Sequence, residues 1–432
     1  MRISACIIAK NEEKNLPRLL DSIKGKFDEI ILVDTGSTDK TIEIAKNYGC
    51  KVYKREWNGF ADARNFASSK ATGDWIWHFD ADFELEPQEY KKAIFFLKNI
   101  PENYDAVMIG VKNFDKNGIV NTYSSQIFIH RNKPYIKWVG KVHEYVDVNL
   151  SYGIPVFVNH YGYQDNDILY KKAKRNLKLL EDEIRNLDKD SENYLFKLFY
   201  LVQSYVVFLS VGKEKSDEIY STAKKYIDEY FQIRENLYSG KPANVFDNHM
   251  LSYALTIYIS KKKYKEAKTL LNNPLFKDSK YPDTIYYRGL VEYYHQNYKE
   301  SVKNILIFLN EIDKAKRNLF IDGMNRIIES ANKINEILNI LEKSLSNLKE
   351  EEKRKFEEEA KQLFMTTKGE YIGLGWYLIL KSLNEKEKAK KLLKKLSRLS
   401  KDKLSGLRVV VEMVKDGEKE QAKKLLRQLQ QV

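Results

Sequence analysis

Apolar runs alternate with amphipathic segments along the first hundred residues, and few architectures accommodate that rhythm. ISACIIA (3–9), EIILVD (29–34) and WIWHF (75–79) read as strands, with KVYKR (51–55) as a shorter one, while NLPRLLDSI (15–23), STDKTIEIAKNYG (37–49) and FADARNFASSKATG (60–73) carry a helical period. Strands joined through helices pair in parallel by right-handed crossovers, which predicts a sheet covered on both faces. Such sheets bind ligands beyond the carboxyl ends of their strands. The polar groups at those ends are Lys10-Asn11-Glu12, Asp34-Thr35-Gly36-Ser37 and Asp80-Ala81-Asp82, so all three should meet in one crevice.

From about 101 to 165 strands and turns take over, in YDAVMIGVKNF, SSQIFIHR, YIKWVGKVHEYV and IPVFVNHYGY, predicting a partly antiparallel layer that covers the crevice. Beyond 165 the pattern is helical to residue 432. KKKYKEAKTLL (261–271) recurs as HQNYKESVKNIL (295–306), setting Tyr264 and Tyr298 34 residues apart, and two later segments set Ala389 and Ala422 33 apart. That is the period of tetratricopeptide-like repeats, in which small residues let paired helices approach closely; a plain helical bundle is the alternative. The Lys- and Glu-dense run 341–361 reads as an exposed helix and a junction between two helical groups.

The net charge of +13 is uneven: through residue 160, 22 Lys and Arg face 21 Asp and Glu, so the excess lies in the helical half. Lys and Glu alternate there without a recognised binding motif, which argues against nucleic acid and leaves solvated helix faces or anionic lipid headgroups. No segment approaches 18 uninterrupted apolar residues, and the first residues lack a secretory h-region. With only Cys6 and Cys50, outside any metal or redox motif, the expectation is a cytoplasmic protein with unpaired thiols, at most peripheral to the inner membrane face.

DWIWHFDADFELEP (74–87) delivers two carboxylates, Asp80 and Asp82, to the end of an apolar strand. Mg²⁺ and Mn²⁺ take oxygen ligands and keep waters and phosphate oxygens in their shell. A carboxylate pair at a strand tip can therefore hold a cation that bridges a nucleoside diphosphate and neutralises it as it departs. Alone the D-x-D pattern is weak, since surface carboxylates are usually just solvated. Phosphate-loop, dinucleotide, nucleophile-elbow and H-E-x-x-H motifs do not occur. The D-T-G at 34–36 opens a helix within a βαβ array, which argues against an aspartic protease.

SACIIAKNEEKNLPRLLDSI, EIILVDTGSTDKTIEIAKNYG, WNGFADARNFASSKATGDWIWHFDADFELEP and VGKVHEYV resemble, in order and spacing, the family-two glycosyltransferases of the GT-A fold. The chain is similar to lipopolysaccharide-core-type glucosyltransferases and to bacteriocin-peptide S-glycosyltransferases, which share V-H-E and H-x-G-Y-like segments; the latter also append tetratricopeptide-like helices. The resemblance covers roughly residues 1–180. It implies an α/β, GT-A-like (Rossmann-like) domain over 1–165, with a nucleotide-sugar half at about 1–100 and an acceptor-side extension at about 101–165, then an all-α tetratricopeptide-like domain over 166–432. The implied activity is transfer of a sugar, with inversion, from a nucleoside diphosphate sugar to a lipid-linked or envelope saccharide or a peptide side chain, with Mg²⁺ or Mn²⁺ as cofactor.

The resemblance also assigns residues. Asn11 and Glu12 would hold the nucleotide, Asp34 the base or ribose, and Arg64 a phosphate; Asp80 would lie near the ribose and metal waters, Asp82 would ligate the metal, and His160 would complete its shell. Lys174 and Arg175 would contact phosphate or sugar. An acceptor must lose its proton as it attacks, so Glu144 is the expected base with His143 as rival. Structural alternatives stand beside these roles: helix capping for Asn11 and Glu12, an N-cap network for Asp34, a bridge from Arg64 to Asp62 or Glu56, a salt bridge for Glu144, an ordinary structural histidine for His160, and a solvated face for Lys174 and Arg175. For the whole chain the alternative is a non-catalytic nucleotide-binding scaffold that recruits a protein partner through its repeats.

Overall fold

The computed structural model describes residues 1–114, 118, 120–162, 166–211, 217–318, 333–399 and 403–429. The chain divides into two compact units, one built on Met1–Ser239 and one on residues from Gly240 onward.

Unit 1 holds an eight-stranded sheet. Its strands are β1 (Ile3–Ala9), β2 (Glu29–Asp34), β3 (Lys51–Lys54), β4 (Trp75–Asp80), β5 (Phe83–Glu84), β6 (Ala106–Phe114), β7 (Val120–Arg131) and β10 (Ser151–His160), in the order β3-β2-β1-β4-β7-β6-β10-β5. The first four pair in parallel through α1 (Leu16–Ile23), α2 (Thr41–Asn47) and α3 (Phe60–Ser68), as the alternating pattern predicts. Register then places the site. Ala9 pairs with Asp34 and Ile8 with Asp80, so both carboxylates flank the end of β1 at one sheet edge.

The later strands do not form a separate cover. β7 runs antiparallel to both β4 and β6, β10 is parallel to β6, and α4 (Pro87–Leu97) packs on β10, so these strands widen the same sheet. Hydrophobic periodicity marks a strand without naming its partner, which is why the sequence suggests a layer where the structure has an extension. Only β8 (Lys137–Val139) and β9 (Tyr145–Asp147) stand apart as a two-stranded pair, with residues 140–144 as their connection.

β4 shows how packing aims a side chain. Trp75, Trp77 and Phe79 enter the main core, where Trp77 and Phe79 stack with centroids 5.1 Å apart. Burying each such ring contributes roughly 1.5–3 kcal/mol, enough to fix the strand's facing. Alternation then turns Ile76, His78 and Asp80 to the opposite face. Helix α3 lies against that face through Ala63 and Ala67, whose small side chains let it approach and carry Arg64 inward.

Helices α5 (Asn166–Ile184), α6 (Glu192–Ser210) and α7 (Asp217–Tyr238), which fall in the helical half of the sequence, pack in succession within unit 1. Unit 2 comprises α8 (Val245–Ser260), α9 (Tyr264–Leu271), α10 (Pro282–Tyr294), α11 (Tyr298–Asn318), α12 (Ile334–Ser346), α13 (Glu350–Thr367), α14 (Glu370–Ser382), α15 (Lys386–Leu399), α16 (Lys403–Lys415) and α17 (Lys419–Leu429). The run 341–361 spans the end of α12 and most of α13.

The repeat is written in backbone geometry. Two residues before α9, α11, α15 and α17 stand Lys262, Gln296, Asn384 and Gly417, each with positive φ between 57° and 83°. The next amide reaches back to the carbonyl five residues before it in all four turns: Lys263 to Tyr258, Asn297 to Glu292, Glu385 to Leu380 and Glu418 to Met413, at 2.8–2.9 Å. These are left-handed helix stops of the Schellman type. Three residues into each following helix stands a small buried side chain, Ala267, Ser301, Ala389 or Ala422, which permits the close pairing of α8 with α9, α10 with α11, α14 with α15 and α16 with α17. No helix among the described residues is long and apolar enough to cross a membrane.

Candidate active site

The strand tips gather five carboxylates, Glu12, Asp34, Asp80, Asp82 and Glu144, around few cations. Arg64 is the first of these. Its buried guanidinium donates from Nη2 to Asp80 Oδ1 and from Nε to Glu144 Oε1, both at 2.7 Å, and lies 4.7 Å from the Trp138 ring centroid. Burial opposes its charge, but Asp80 and Glu144 outweigh that and hold it firmly protonated. The bridge to Asp62 considered from sequence is made by Arg55 instead, at 2.8 Å. Arg64 Nη1 is buried without a hydrogen-bond partner among the described residues, leaving one donor of the fork to offer.

Glu144 reaches this cluster because α3 clamps its loop. Phe60 donates its backbone N–H to the Lys141 carbonyl at 2.9 Å, and Gly59, at φ 101°, passes so close that a Cβ would stand 3.1 Å from Lys141 Cα. Burial raises the Glu144 carboxyl's proton affinity, the Arg64 charge lowers it, and nearby Asp80 raises it again, with a net upward shift. His143, at φ 49°, stacks on Tyr200 at 4.1 Å. Burial, with Lys197 and Arg175 nearby, depresses its imidazole to about 3, so it is neutral and weakly basic near neutrality.

Asp82 faces a different group of side chains. Phe83 pairs with His160 across β5 and β10, which sets His160 Nε2 3.3 Å from Asp82 Oδ2. His160 Nδ1 is held 2.6 Å from Asn113 Oδ1. Lys172 of α5 brings its ammonium to 3.5 Å from the same Asp82 oxygen and 3.4 Å from the Gly162 carbonyl. Burial alone would favour a neutral Asp82, but its pairing with His160 and Lys172 holds the carboxyl well below the usual range. Gly162 permits these groups to crowd against the backbone: a Cβ there would collide with Asp82 Oδ2 and His160 Nε2 and lie 3.0 Å from Lys172 Nζ.

Those atoms suit a hard divalent cation. Adjacent ligands on an octahedral ion with bonds of about 2.1 Å stand about 3.0 Å apart, close to the separation of Asp82 Oδ2 and His160 Nε2. Asp80, expected near the ribose and metal waters, accepts from Arg64, and no group of three or more His, Cys, Asp or Glu side chains among the described residues forms a metal cluster.

The other expected residues are placed as follows. Asp34 accepts from the backbone N–H groups of Gly36 and Ser37 at 3.1–3.2 Å, the capping network considered from sequence, except that Thr38 belongs to Asn11. Asn11, at φ 57°, accepts from Thr38 N–H at 2.8 Å and donates its own N–H to Ser37 Oγ at 2.9 Å, tying the ends of β1 and β2 together. Glu12 accepts from Asn15 at 2.9 Å; burial raises its carboxyl, Asn15 lowers it, and nearby Asp82 raises it further. Lys174 is exposed on α5, and Arg175 lies over the Phe60 ring at 5.0 Å, on the His143 side. The α5 cation seen beside Asp82 is Lys172. Sequence reasoning missed Lys172, Trp138 and Gly162.

The site thus combines acidic strand tips, a buried arginine and a carboxylate–histidine pair on one α/β domain. Residues 4–171, within unit 1, match the model of the family described as Glycosyl transferase family 2. A TPR repeat-containing protein of Synechococcus elongatus is 34% identical over 176 residues, 38% of this chain and 42% of that protein. The SPbeta prophage-derived glycosyltransferase SunS of Bacillus subtilis is 30% identical over 244 residues, 54% of this chain and 55% of that one. The chain thus spans between about a third and just over half of the length of the curated relatives it matches. Among solved structures, S. aureus TarS aligns over 62% of this chain and 55% of its own at 16% identity and a TM-score of 0.33.

Proposed function

We propose that this chain transfers a sugar, with inversion and with the help of Mg²⁺ or Mn²⁺, from a nucleoside diphosphate sugar to a hydroxyl or thiol of a saccharide or peptide acceptor. The observation that carries the reading is the meeting of two unlike clusters at the strand ends, Asp82 paired with His160 and Glu144 paired with Arg64, which also holds Asp80. Asp82 and His160 would hold the cation. That ion would supply positive charge to the departing diphosphate. The spare Arg64 donor suits a phosphate or sugar oxygen, and the loop tied by Asn11 and Asp34 suits the nucleoside.

Glu144 then takes the acceptor's proton. As the acceptor oxygen or sulfur forms its bond to the anomeric carbon, the bond from that carbon to the diphosphate oxygen breaks and its electron pair leaves with the nucleoside diphosphate. A single displacement inverts the anomeric centre. Glu144 suits this work better than His143, because its affinity for a proton is raised toward the working range while that of His143 is depressed to about 3.

Screening nucleoside diphosphate sugars for thermal stabilisation with and without Mn²⁺ tests the reading, followed by assay of the stabilising donor for acceptor-free hydrolysis. Metal-dependent stabilisation and slow release of free sugar are expected. Stabilisation by no donor, with or without metal, would refute it in favour of a scaffold.

A further inference from the structure

Lys172 lies among the residues proposed to hold the cation, and its position raises a conflict of charge. Its ammonium is 3.5 Å from Asp82 Oδ2, the oxygen that faces His160 Nε2, and a Cβ on Gly162 would meet all three groups. A lysine cannot ligate a divalent ion while protonated, and a positive charge at that distance opposes the ion's arrival. A permanent structural bridge would therefore weaken the metal site. The lysine's side chain keeps 34% of its exposure, on a four-carbon stem with several rotatable bonds, against 9% for Asp82. The α5 phase allows it this edge position, because Ala173, Leu177 and Leu180 are the buried face and Lys172 flanks them.

We propose that Lys172 is an exchangeable counter-ion of the donor site. Without ligand its ammonium neutralises Asp82; when the divalent cation takes that carboxylate, the ammonium turns to the diphosphate that arrives with the metal. There it balances the negative charge that builds on the diphosphate as the electron pair of the broken sugar–oxygen bond leaves with it, and the acceptor's proton goes to Glu144. The inference rests on the metal-dependent reading above and deepens it by naming the residue that couples cation binding to diphosphate binding.

The two ligands are separated by the test. Mn²⁺ alone, then UDP, GDP or ADP with saturating Mn²⁺, is titrated calorimetrically into the full-length chain, its Lys172→Met variant and its Lys172→Arg variant, with circular dichroism to check the fold. Removing the ammonium should tighten Mn²⁺ binding alone by about tenfold and weaken binding of the preferred nucleoside diphosphate–Mn²⁺ by about tenfold, opposite signs from one substitution. Lys172→Arg should restore nucleotide binding. Unchanged or weaker Mn²⁺ binding in Lys172→Met, or unchanged nucleotide binding, would overturn the exchange. If the unmodified chain binds no Mn²⁺ with any of the three nucleotides, the metal-dependent reading itself fails, at a step before the variants are compared.

Discussion

Asp80 and Asp82 stand two residues apart in one motif, yet they inhabit opposite surroundings. Asp80 keeps 35% of its side-chain exposure and is tied to Arg64, which it shares with Glu144; Asp82 keeps 9% and faces His160 and Lys172. The strand ends between them, so the alternation that would have put both on one face is broken, and each inherits the neighbours of a different element. Asp80 takes its partner from α3, and Asp82 from β10 and α5. A motif read as one unit thus divides into a carboxylate held by Arg64 and a carboxylate held by His160 and Lys172.

Substitutions should separate the two halves. The largest effect is expected from Asp82→Asn, which keeps shape but gives up the ligand charge: transfer should fall by about 10³-fold or more while the circular dichroism spectrum is retained. Activity within tenfold of the unmodified chain would erase the distinction. Next, Arg64→Met strips the shared partner from the largely buried Glu144 and the partly exposed Asp80, and the uncompensated Glu144 charge should cost about 3 kcal/mol in urea unfolding. A smaller loss would mean that water reaches the cluster.

Glu144→Gln comes third, with an expected loss in turnover of about 10²-fold. Its pH profile sharpens the assignment. The base must be deprotonated, so activity falls as pH drops through the Glu144 value, and because that value is raised, the acid limb lies above the ordinary carboxylate range. The limb should vanish in Glu144→Gln and persist in His143→Gln, since His143, depressed to about 3, titrates below it. Asp80→Asn keeps an oxygen for Arg64 and should lose only about tenfold. The smallest effect belongs to unit 2: Gly417→Ala puts a Cβ on a turn at φ 83° and should cost about 1 kcal/mol of stability without altering turnover.

What the sequence makes legible follows from how local each cause is. Asp34 and Asp80 could be brought together on paper because adjacent parallel strands of known end point align their tips, and β1 lies between them with Ala9 against Asp34 and Ile8 against Asp80. The repeat was legible through Tyr264 and Tyr298, although the deeper signal was conformational, in the left-handed turns that end each first helix. Lys172 was missed for a reason that could have been read: Ala173, Leu177 and Leu180 form the buried stripe of α5, which turns Lys174 outward and leaves Lys172 at its edge. Trp138 beneath Arg64 and Gly162 beside Asp82 had no such signal. Both depend on strand partners and loop approach that no short-range pattern encodes.

The most direct test of the central claim is a calorimetric titration of the preferred nucleoside diphosphate into the unmodified chain and into Asp82→Asn, each with Mn²⁺ and with chelator. The account predicts binding that requires Mn²⁺ in the unmodified chain and is at least about tenfold weaker in the variant. Equal affinity in all four titrations would show that the Asp82–His160 pair holds no cation with the diphosphate, and would contradict it.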